Sequence, residues 1–124
     1  MLVKDIMNSN VFSVSKDDTV QKFISLVMKE RIHEAPVLDG KEMVGMVTYK
    51  DLINESVTEP QSEKIGSIMN EHPHTLSPDQ TMEEAAQAIF QTGVRALPVV
   101  DKKKLVGIVS TFDIIKAAEG IKEF

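Results

Sequence analysis

The sequence predicts an α/β fold, more narrowly α+β, in which a strand-helix-strand-strand-helix unit occurs twice in tandem. The main observation is an internal repeat, because Ala35-Pro-Val-Leu-Asp39 returns 62 positions later as Leu97-Pro-Val-Val-Asp101. The dipeptide Val44-Gly likewise returns as Val106-Gly. Each copy also contains apolar residues at helical spacing, followed by two runs rich in β-branched residues. Two copies of one supersecondary unit therefore account for almost the whole chain.

The length of 124 residues suits one compact domain rather than two independent ones. A single copy of about 60 residues would be only marginally stable by itself. We therefore expect the first repeat, 1–58, and the second repeat, 59–124, to share a core and to fold as one module. Residues 55–64 are polar and lack periodicity, which predicts a linker.

Each copy begins with an Ile-Met-Asn lead-in. A short strand is predicted at residues 12–14, and a helix follows Thr19. In the second copy, Thr81 and Glu84 have the spacing of a capping box, and Gly93 is placed to end the helix. The residues expected on the core-facing stripes of the two helices are Val20, Phe23, Ile24, Val27 and Met28 in the first copy and Met82, Ala85, Ala86, Ile89 and Phe90 in the second.

In each copy, two β-rich runs joined by a short turn predict a β-hairpin. The first copy has Ala35–Leu38 and Met43–Thr48, joined through Asp39-Gly40. The second copy has Asp101-Lys102 at the turn, so a different turn type is expected there. The helices that follow the hairpins are predicted over Tyr49–Asn54 and from Thr111 to Ala118.

Composition excludes several functional classes. The chain has a net charge of −5, one Tyr, no Trp and no Cys. An acidic chain without a basic cluster makes nucleic acid an improbable partner, and the lack of Cys removes disulfides and thiol chemistry. No apolar run approaches the roughly 20 residues that cross a bilayer, and the amino terminus lacks the layout of a signal peptide. We therefore expect a soluble, cytoplasmic protein without a membrane partner.

A hydroxyl and a carboxylate stand three residues apart where each hairpin gives way to a helix: Thr48 with Asp51, and Ser110 with Asp113. Local sequence favours a capping box, worth about 1 kcal/mol to each helix. The same geometry suits a nucleotide, because a carboxylate at a strand end accepts ribose hydroxyls and a helix start attracts phosphate. The two interpretations are compatible.

The ordered set of motifs resembles the cystathionine-β-synthase (CBS) domain. The resemblance rests on the Asp-Ile-Met lead-in, the apolar-Pro-Val-apolar-Asp strand and the Val-Gly-apolar-Val-Ser/Thr-x-x-Asp ending. Because the set occurs twice over residues 1–120, the chain is similar to a CBS pair, or Bateman module. The resemblance implies two repeats packed with pseudo-twofold symmetry, whose Ser/Thr and Asp residues bind the ribose and phosphate of adenosine nucleotides.

The resemblance also implies two crossed ligand sites, in which the Asp of one copy faces the apolar-Pro-Val segment of the other. Apolar side chains would enclose the adenine, and strand backbone would read its edge. The first site would consist of Met46, Thr48, Asp51, Asn70, Thr75, Arg95, Ala96, Leu97 and Pro98. The second site would consist of Asn8, Ser13, His33, Glu34, Ala35, Pro36, Ile108, Ser110, Thr111 and Asp113.

Charge distinguishes these two predicted sites. Arg95 can pair with a phosphate through two parallel hydrogen bonds, so the first site suits AMP, ADP or ATP. The second site has His33 next to Glu34, whose carboxylate would repel a phosphate. We expect the first site to bind nucleotide more tightly, and the second to be empty or to take an adenosyl ligand with less negative charge.

Catalysis and metal binding are not indicated. His72 and His74 supply too few ligands for a metal site, and no nucleophile with its base is recognisable. We expect a module without catalysis or catalytic cofactor that senses an adenine nucleotide as a regulatory ligand and signals to an unknown regulated protein. The resemblance implies a homodimer. The alternatives are a structural dimerisation scaffold with unused sites, or binding of S-adenosylmethionine or adenosine.

Overall fold

The computed structural model describes residues 1–121, so the last positions of the predicted second repeat, 122–124, lie outside the described residues. The mixed α and β class is confirmed, and most helices and strands follow the predicted order, with an additional short helix in the first lead-in. Two predictions were wrong in the described residues: the strand expected at residues 12–14 lies at Val14–Ser15, and the first strand expected in the second copy is reduced to an isolated bridge at Leu76. The helices are α1 (Val3–Ile6), α2 (Val20–Glu30), α3 (Tyr49–Asn54), α4 (Met82–Thr92) and α5 (Thr111–Ile121), and Ile65–Ser67 form a 3₁₀ helix. The strands are β1 (Val14–Ser15), β2 (Glu34–Asp39), β3 (Glu42–Thr48), β4 (Ala96–Asp101) and β5 (Lys104–Ser110).

Backbone contacts divide the chain into two compact units. The continuous unit consists of Phe12–Pro73, and the split unit consists of Met1–Val11 together with the described residues from His74 onward. These limits differ from those of the sequence repeats, 1–58 and 59–124. Each unit combines the strands and helices of one repeat with the lead-in of the other repeat.

The continuous unit contains β1, β2 and β3. Strand β1 pairs in parallel with β2, with Val14 opposite Val37. Strand β2 pairs antiparallel with β3 in the predicted hairpin, and its register shifts after Val37. The lead-in of the second repeat pairs with β3, because the Met46 N–H donates to the Asn70 carbonyl at 3.0 Å and the Asn70 N–H donates back at 2.8 Å.

The split unit repeats this pattern with the first lead-in. Strand β4 pairs antiparallel with β5, and Leu76 forms an isolated parallel bridge with Val99 where the continuous unit has β1. Asn8 pairs with Ile108 on β5 through two backbone hydrogen bonds of 2.9 Å each. The lead-in of the first repeat therefore occupies the position that the second lead-in occupies in the continuous unit.

The exchange of lead-ins contributes to both hydrophobic cores. Val3 in α1 is fully buried and packs in the split unit with Leu76, Ala85 and Val109. Ile65 is equally buried in the continuous unit, where Phe23 is the largest core side chain. Burying an aliphatic side chain of this size stabilises a fold by roughly 1.5–3 kcal/mol, so neither unit has a complete core without the borrowed segment.

Glycine at one strand position makes room for each lead-in. A Cβ added to Gly45 would lie 2.6 Å from Met69 Sδ and 2.8 Å from the Asn70 carbonyl oxygen. A Cβ on Gly107 would lie 2.6 Å from Met7 Sδ and 3.1 Å from the carbonyl oxygen of the next residue, Asn8. The repeated Val-Gly dipeptide is therefore explained by close approach of the lead-in backbone.

The helix ends and turns follow the sequence closely. The Thr81–Glu84 capping box is present, and Gly93 ends α4 in the left-handed conformation at φ 72°. The hairpin turns differ as predicted. Gly40 is the residue with positive φ in the first turn, whereas Lys102 and Lys103 both have positive φ in the second, the pattern of a type I′ turn.

Two residues that we predicted in the core are instead exposed. Met28 is 75% exposed and Phe90 is 87% exposed, so their placement on the core-facing stripes was wrong. Both lie eight residues after the first residue of their stripe, and at about 100° per residue this position is about 80° around the helix from it. They therefore lie at the edge of the stripe and face solvent.

Candidate ligand-binding site

In the continuous unit, the candidate carboxylate is fixed where β3 ends and α3 begins. The Thr48 N–H donates to Asp51 Oδ2 at 2.8 Å, and the Asp51 N–H donates to Thr48 Oγ1 at 3.4 Å. Both residues are partly buried. This is the reciprocal capping box that the sequence predicts, and within residues 1–121 Asp51 Oδ1 accepts no hydrogen bond.

The split unit holds its carboxylate more tightly at the start of α5. Asp113 Oδ2 accepts from the Ser110 N–H at 2.8 Å and from Ser110 Oγ at 2.9 Å, and the Asp113 N–H donates to Ser110 Oγ at 3.1 Å. One carboxylate oxygen is therefore committed to the helix cap. The other, Oδ1, accepts no hydrogen bond in the described part of the chain, so the cap leaves one acceptor for a ligand.

Each unit brings the residue before the first strand of its hairpin next to the start of the helix that follows the hairpin. In the split unit, the Arg95 carbonyl accepts from the Thr111 N–H at 2.9 Å and from Thr111 Oγ1 at 3.2 Å. In the continuous unit, the His33 carbonyl accepts from the Tyr49 N–H at 2.9 Å, and the two rings make an edge contact with centroids 5.7 Å apart. Arg95 and His33 therefore occupy equivalent backbone positions close to the capping boxes of their own units.

The lead-ins supply a second matched pair of polar residues. Asn8 Oδ1 accepts from the Asn10 N–H at 2.9 Å, and Asn70 Oδ1 accepts from the His72 N–H at 3.0 Å. These short turns fix each Asn side chain beside β5 or β3, although both residues remain exposed. Asn8 thus lies beside Ile108 in the split unit, and Asn70 lies beside Met46 in the continuous unit.

A cavity of about 270 Å³ lies between the first lead-in and α5 in the split unit. Asp113 is one of its lining residues, so the cavity adjoins the candidate carboxylate. The other lining residues are Met1, Asp5, Ile6, Lys116 and Ala117. The sequence reasoning missed these residues, because the contact between α1 and α5 joins segments more than 100 positions apart and no motif marks it.

The remaining predicted site residues divide between the two units. Ser13, Glu34, Ala35 and Pro36 lie in the continuous unit, and Thr75, Ala96, Leu97 and Pro98 lie in the split unit. Each predicted crossed site draws on both units, so its joint arrangement stays a prediction.

Some predicted members are buried in the core of their own unit. Ala35 and Leu97 are 0% and 3% exposed, and both belong to hydrophobic clusters. Pro36 and Pro98 are also fully buried. Their side chains stabilise the fold, so any contribution of these four residues to a ligand site comes from their backbone groups.

The described residues lack both a group of metal ligands and a helix suited to cross a membrane. Within positions 1–121, no three His, Cys, Asp or Glu side chains form a group that could hold a metal ion, and His72 and His74 are both exposed. None of the helices in the same range is long and apolar enough to cross a membrane.

The family of the chain follows from comparison with known proteins. Residues 3–58 and 65–120 each match the family model of the CBS domain. The chain belongs to the CBS domain family. Residues 59–64, between the two matches, lie within the segment predicted as a linker. Because the chain contains two CBS domains in tandem, it is a CBS pair.

Curated relatives of this CBS pair differ in length. The CBS domain-containing protein YhcV of Bacillus subtilis is 30% identical over 114 residues, which cover 90% of this chain and 81% of that protein. The L-aspartate semialdehyde sulfurtransferase of Methanosarcina acetivorans is 32% identical over 117 residues, or 93% of this chain, but only 23% of the enzyme is matched. An uncharacterized Methanocaldococcus jannaschii protein, 30% identical over 93% of this chain, is matched over 43% of its length. The chain thus spans a small part of the enzyme.

Solved CBS pairs share the fold and include ligand complexes. The Arabidopsis thaliana protein CBSX2, solved in complex with AMP, has a TM-score of 0.85 and 27% identity, with 98% of both chains covered. The CBS domain pair of protein MJ0100, solved with 5′-methylthioadenosine and S-adenosyl-L-methionine, has a TM-score of 0.79 and 25% identity over 99% of this chain and 98% of that one. Adenosyl compounds are therefore ligands of proteins with this architecture.

Proposed function

We propose that this CBS pair is a regulatory module that binds an adenine nucleotide of the AMP, ADP or ATP type and signals its presence to a partner protein. The main observation in support of this proposal is the pair of capping boxes, Thr48 with Asp51 and Ser110 with Asp113. Each fixes a carboxylate at a strand end and leaves its Oδ1 without a hydrogen bond within the described residues. A preorganised acceptor of this kind suits the two ribose hydroxyls.

The phosphate is assigned to Arg95. Guanidinium pairs with phosphate through two charge-assisted hydrogen bonds, which a carboxylate or an imidazole cannot match. At the equivalent position the continuous unit carries His33, followed by Glu34. The site that uses Arg95, with Thr48 and Asp51, is therefore proposed as the tighter nucleotide site. The Asp113 site is proposed to take an adenosyl ligand with less negative charge.

Signalling requires a ligand that stabilises one conformation of the module over another. The lead-ins are suited to report binding, because Asn8 and Asn70 hydrogen-bond to the strands that end at the capping boxes. We propose that the bound ligand tightens this pairing and that a partner protein or a second subunit responds. The proposed module performs no catalysis, and the nucleotide is a regulatory ligand rather than a catalytic cofactor.

A homodimer is the proposed assembly. Exposed apolar residues occur at equivalent positions of the two copies: Met28 with Phe90, and Ile53 with Ile115, all at least 56% exposed. Phe112 adds a further apolar side chain, 66% exposed, on α5. Large exposed apolar side chains grouped on helices mark protein interaction surfaces, and twofold dimers are the commonest assemblies.

Calorimetry with AMP and ATP tests the nucleotide proposal directly. Asp51→Asn keeps an acceptor for the Thr48 N–H but removes the charge and one ribose acceptor, so we expect about tenfold weaker AMP binding without loss of fold. Arg95→Ala is expected to weaken ATP binding at least as much. The matched control is Asp101→Asn, an exposed carboxylate at the end of β4. Unchanged AMP binding in both site variants would refute the proposal.

A double-mutant cycle tests which carboxylate shares a ligand with Arg95. The crossed assignment predicts that the effects of Arg95→Ala and Asp51→Asn on AMP affinity are coupled, while those of Arg95→Ala and Asp113→Asn add independently. The opposite result would assign Arg95 to the capping box of its own unit, where its carbonyl already accepts from Thr111.

The alternative function is a structural dimerisation scaffold, and the exposed helix residues Phe90 and Phe112 favour it. In that case both capping boxes serve only their helices. A thermal-shift panel separates the two functions, because a ligand at 100 times its dissociation constant stabilises the fold by about 2.7 kcal/mol. No shift with AMP, ADP, ATP, adenosine or S-adenosylmethionine would support the scaffold.

A further inference from the structure

We propose that Met7 and Met69 are modification sites, at which a peroxide oxidises the thioether to a sulfoxide and loosens the attachment of the two lead-ins. The result is a redox-sensitive switch, because the sulfoxide does not fit where the thioether packs against its strand. The switch is independent of nucleotide binding, and its failure would leave the nucleotide proposal unaffected.

Each of the two sulfurs lies in the space that a side chain on the strand would fill. A Cβ built on Gly107 would lie 2.6 Å from Met7 Sδ and 3.0 Å from Met7 Cγ. The same construction on Gly45 gives 2.6 Å to Met69 Sδ and 3.0 Å to Met69 Cγ. Met7 and Met69 are repeat equivalents. The chain therefore makes the same contact between a methionine sulfur and a strand glycine once in each unit.

Both thioethers also pack against a hydrophobic core. Met7 packs against the core of the split unit, and Met69 packs against the core of the continuous unit. An unbranched, polarizable thioether suits such an irregular space between a backbone and a core. Oxidation adds a polar oxygen to the sulfur and makes the side chain chiral, which disrupts packing of this kind.

The surroundings of the sulfur do not suit a sulfoxide oxygen. Of the three heavy atoms closest to the Cβ position of Gly107, the one polar atom is the Asn8 carbonyl oxygen, which accepts from the Ile108 N–H at 2.9 Å. The Asn70 carbonyl oxygen has the same place beside Gly45. A sulfoxide oxygen is also an acceptor, so it cannot pair with these carbonyls. Burying it without a donor destabilises the packed state.

Methionine is the side chain through which this protein would react with a peroxide. The sequence has seven methionines and no cysteine. In the reaction with hydrogen peroxide, the sulfur takes one oxygen atom, the O–O bond breaks and water leaves. The thioether loses two electrons and the peroxide gains them. Methionine sulfoxide reductases reverse the modification, one enzyme for each epimer, so the switch can be reset.

The methionines differ in exposure, and this difference predicts both the rate and the effect of oxidation. Met28 is 75% exposed and Met1 is 59% exposed, so both should react first and without structural effect. Met46 is 7% exposed and should react last. Met7 and Met69 are partly buried. An oxidant reaches them when a lead-in opens locally, and the sulfoxide then opposes its return.

The expected consequence is weaker backbone pairing at the residue that follows each methionine. Asn8 exchanges two hydrogen bonds of 2.9 Å with Ile108, and Asn70 exchanges bonds of 2.8 and 3.0 Å with Met46. These four N–H groups connect the lead-ins to β5 and β3. Because the methionine packing lies directly beside this pairing, we expect its loss to expose the four N–H groups to solvent more often.

The test is timed treatment of the full chain with hydrogen peroxide. Peptide mass spectrometry locates the sulfoxides, and NMR measures amide hydrogen exchange. We expect the N–H groups of Asn8 and Asn70 to exchange about tenfold faster once Met7 and Met69 are oxidised, and the urea midpoint to fall at the same time. Oxidation of Met28 should precede both changes and cause neither. Methionine sulfoxide reductases for both epimers should restore the original exchange rates.

A double variant, Met7→Leu with Met69→Leu, removes both sulfurs and keeps apolar side chains of similar volume. Its urea midpoint should not change on peroxide treatment. The matched control combines Met28→Leu with Met43→Leu, since Met43 is a partly buried methionine of β3 outside the lead-ins. The control should lose stability in peroxide as the wild type does.

Four outcomes would overturn the switch. The first is formation of both sulfoxides without a change in amide exchange or urea midpoint. The second is an equal loss of stability in the double variant and the wild type, which would assign the effect to another methionine. The third is that Met7 and Met69 stay reduced until the chain unfolds. The fourth is no recovery with the reductases, which would indicate damage. If the double variant does not fold, the order of oxidation and amide exchange in the wild-type chain decides.

Discussion

The continuous unit and the split unit build the same backbone pattern around different side chains. Both pair a lead-in Asn with a strand, leave room for it at a Gly, and cap the following helix through a hydroxyl and an Asp. Their charged residues differ at equivalent places, since His33 corresponds to Arg95 and Ser67 corresponds to Asp5. Residues that fix the backbone are thus repeated, whereas these charged side chains are specific to one unit.

The largest effect is expected from cutting the chain at different points. A fragment of residues 12–73 keeps Ile65 and Ile68 in the core around Phe23, whereas a fragment of residues 1–62 has the same length but loses both. We expect the first fragment to unfold cooperatively in urea, although it is small and marginal, and the second to remain unfolded. Circular dichroism and amide chemical-shift dispersion measure the difference. Equal folding of both fragments would contradict the exchange of lead-ins.

Gly45 and Gly107 allow the two units to be compared within the intact chain. Gly45→Ala places a Cβ 2.8 Å from a backbone oxygen and should destabilise the protein by about 2–3 kcal/mol, whereas Gly107→Ala, with 3.1 Å to the corresponding oxygen, should cost about 1–2 kcal/mol. Urea denaturation measures both. The control is Gly120→Ala in α5, where an added Cβ meets nothing within 4 Å and a gain of about 0.5–1 kcal/mol is expected. If Gly107→Ala lowers the free energy of unfolding more than Gly45→Ala does, the lead-in does not approach Gly45 more closely than Gly107, contrary to the distances above.

The exposed helix residues should affect association without affecting folding. Phe90→Ser removes an apolar side chain that is 87% exposed in the chain, and burial of that side chain in a dimer would contribute about 2 kcal/mol per subunit. We expect the dimer dissociation constant to rise by at least tenfold in sedimentation equilibrium, with little change in the melting temperature at high dilution. Met28→Ser is the matched change in the other unit. If the unsubstituted chain is already monomeric, the proposed dimer interface is refuted.

The smallest effect is expected at the hairpin turns. Lys103 has φ 70° and Lys102 has φ 51°, a conformation that costs a non-glycine residue roughly 1 kcal/mol. Lys103→Gly should therefore stabilise the split unit by about 1 kcal/mol, and Gly40→Lys should destabilise the continuous unit by a similar amount. Thermal denaturation of both variants measures this. A loss of stability in Lys103→Gly, or no loss in Gly40→Lys, would contradict the positive φ of these two residues.

Local sequence predicted most elements because their determinants are close together in the chain. The limits of α3 agree with the sequence prediction at both ends, and the capping boxes and the glycine that ends α4 were recognisable from neighbouring residues. Met28 and Phe90 were placed wrongly because periodicity alone does not specify how far a stripe extends around a helix. That width depends on what packs against the helix.

The amino-acid sequence by itself determined the repeat, the order of its helices and strands, and the Thr48–Asp51 and Ser110–Asp113 caps. These features depend on short-range hydrogen bonding and on apolar spacing, which are encoded locally. Only the tertiary structure decided that each lead-in packs with the strands of the other repeat and that Asp5 and Lys116 line the same cavity as Asp113. Such contacts arise from burial of apolar surface between distant segments, and no spacing within the sequence specifies which segments meet.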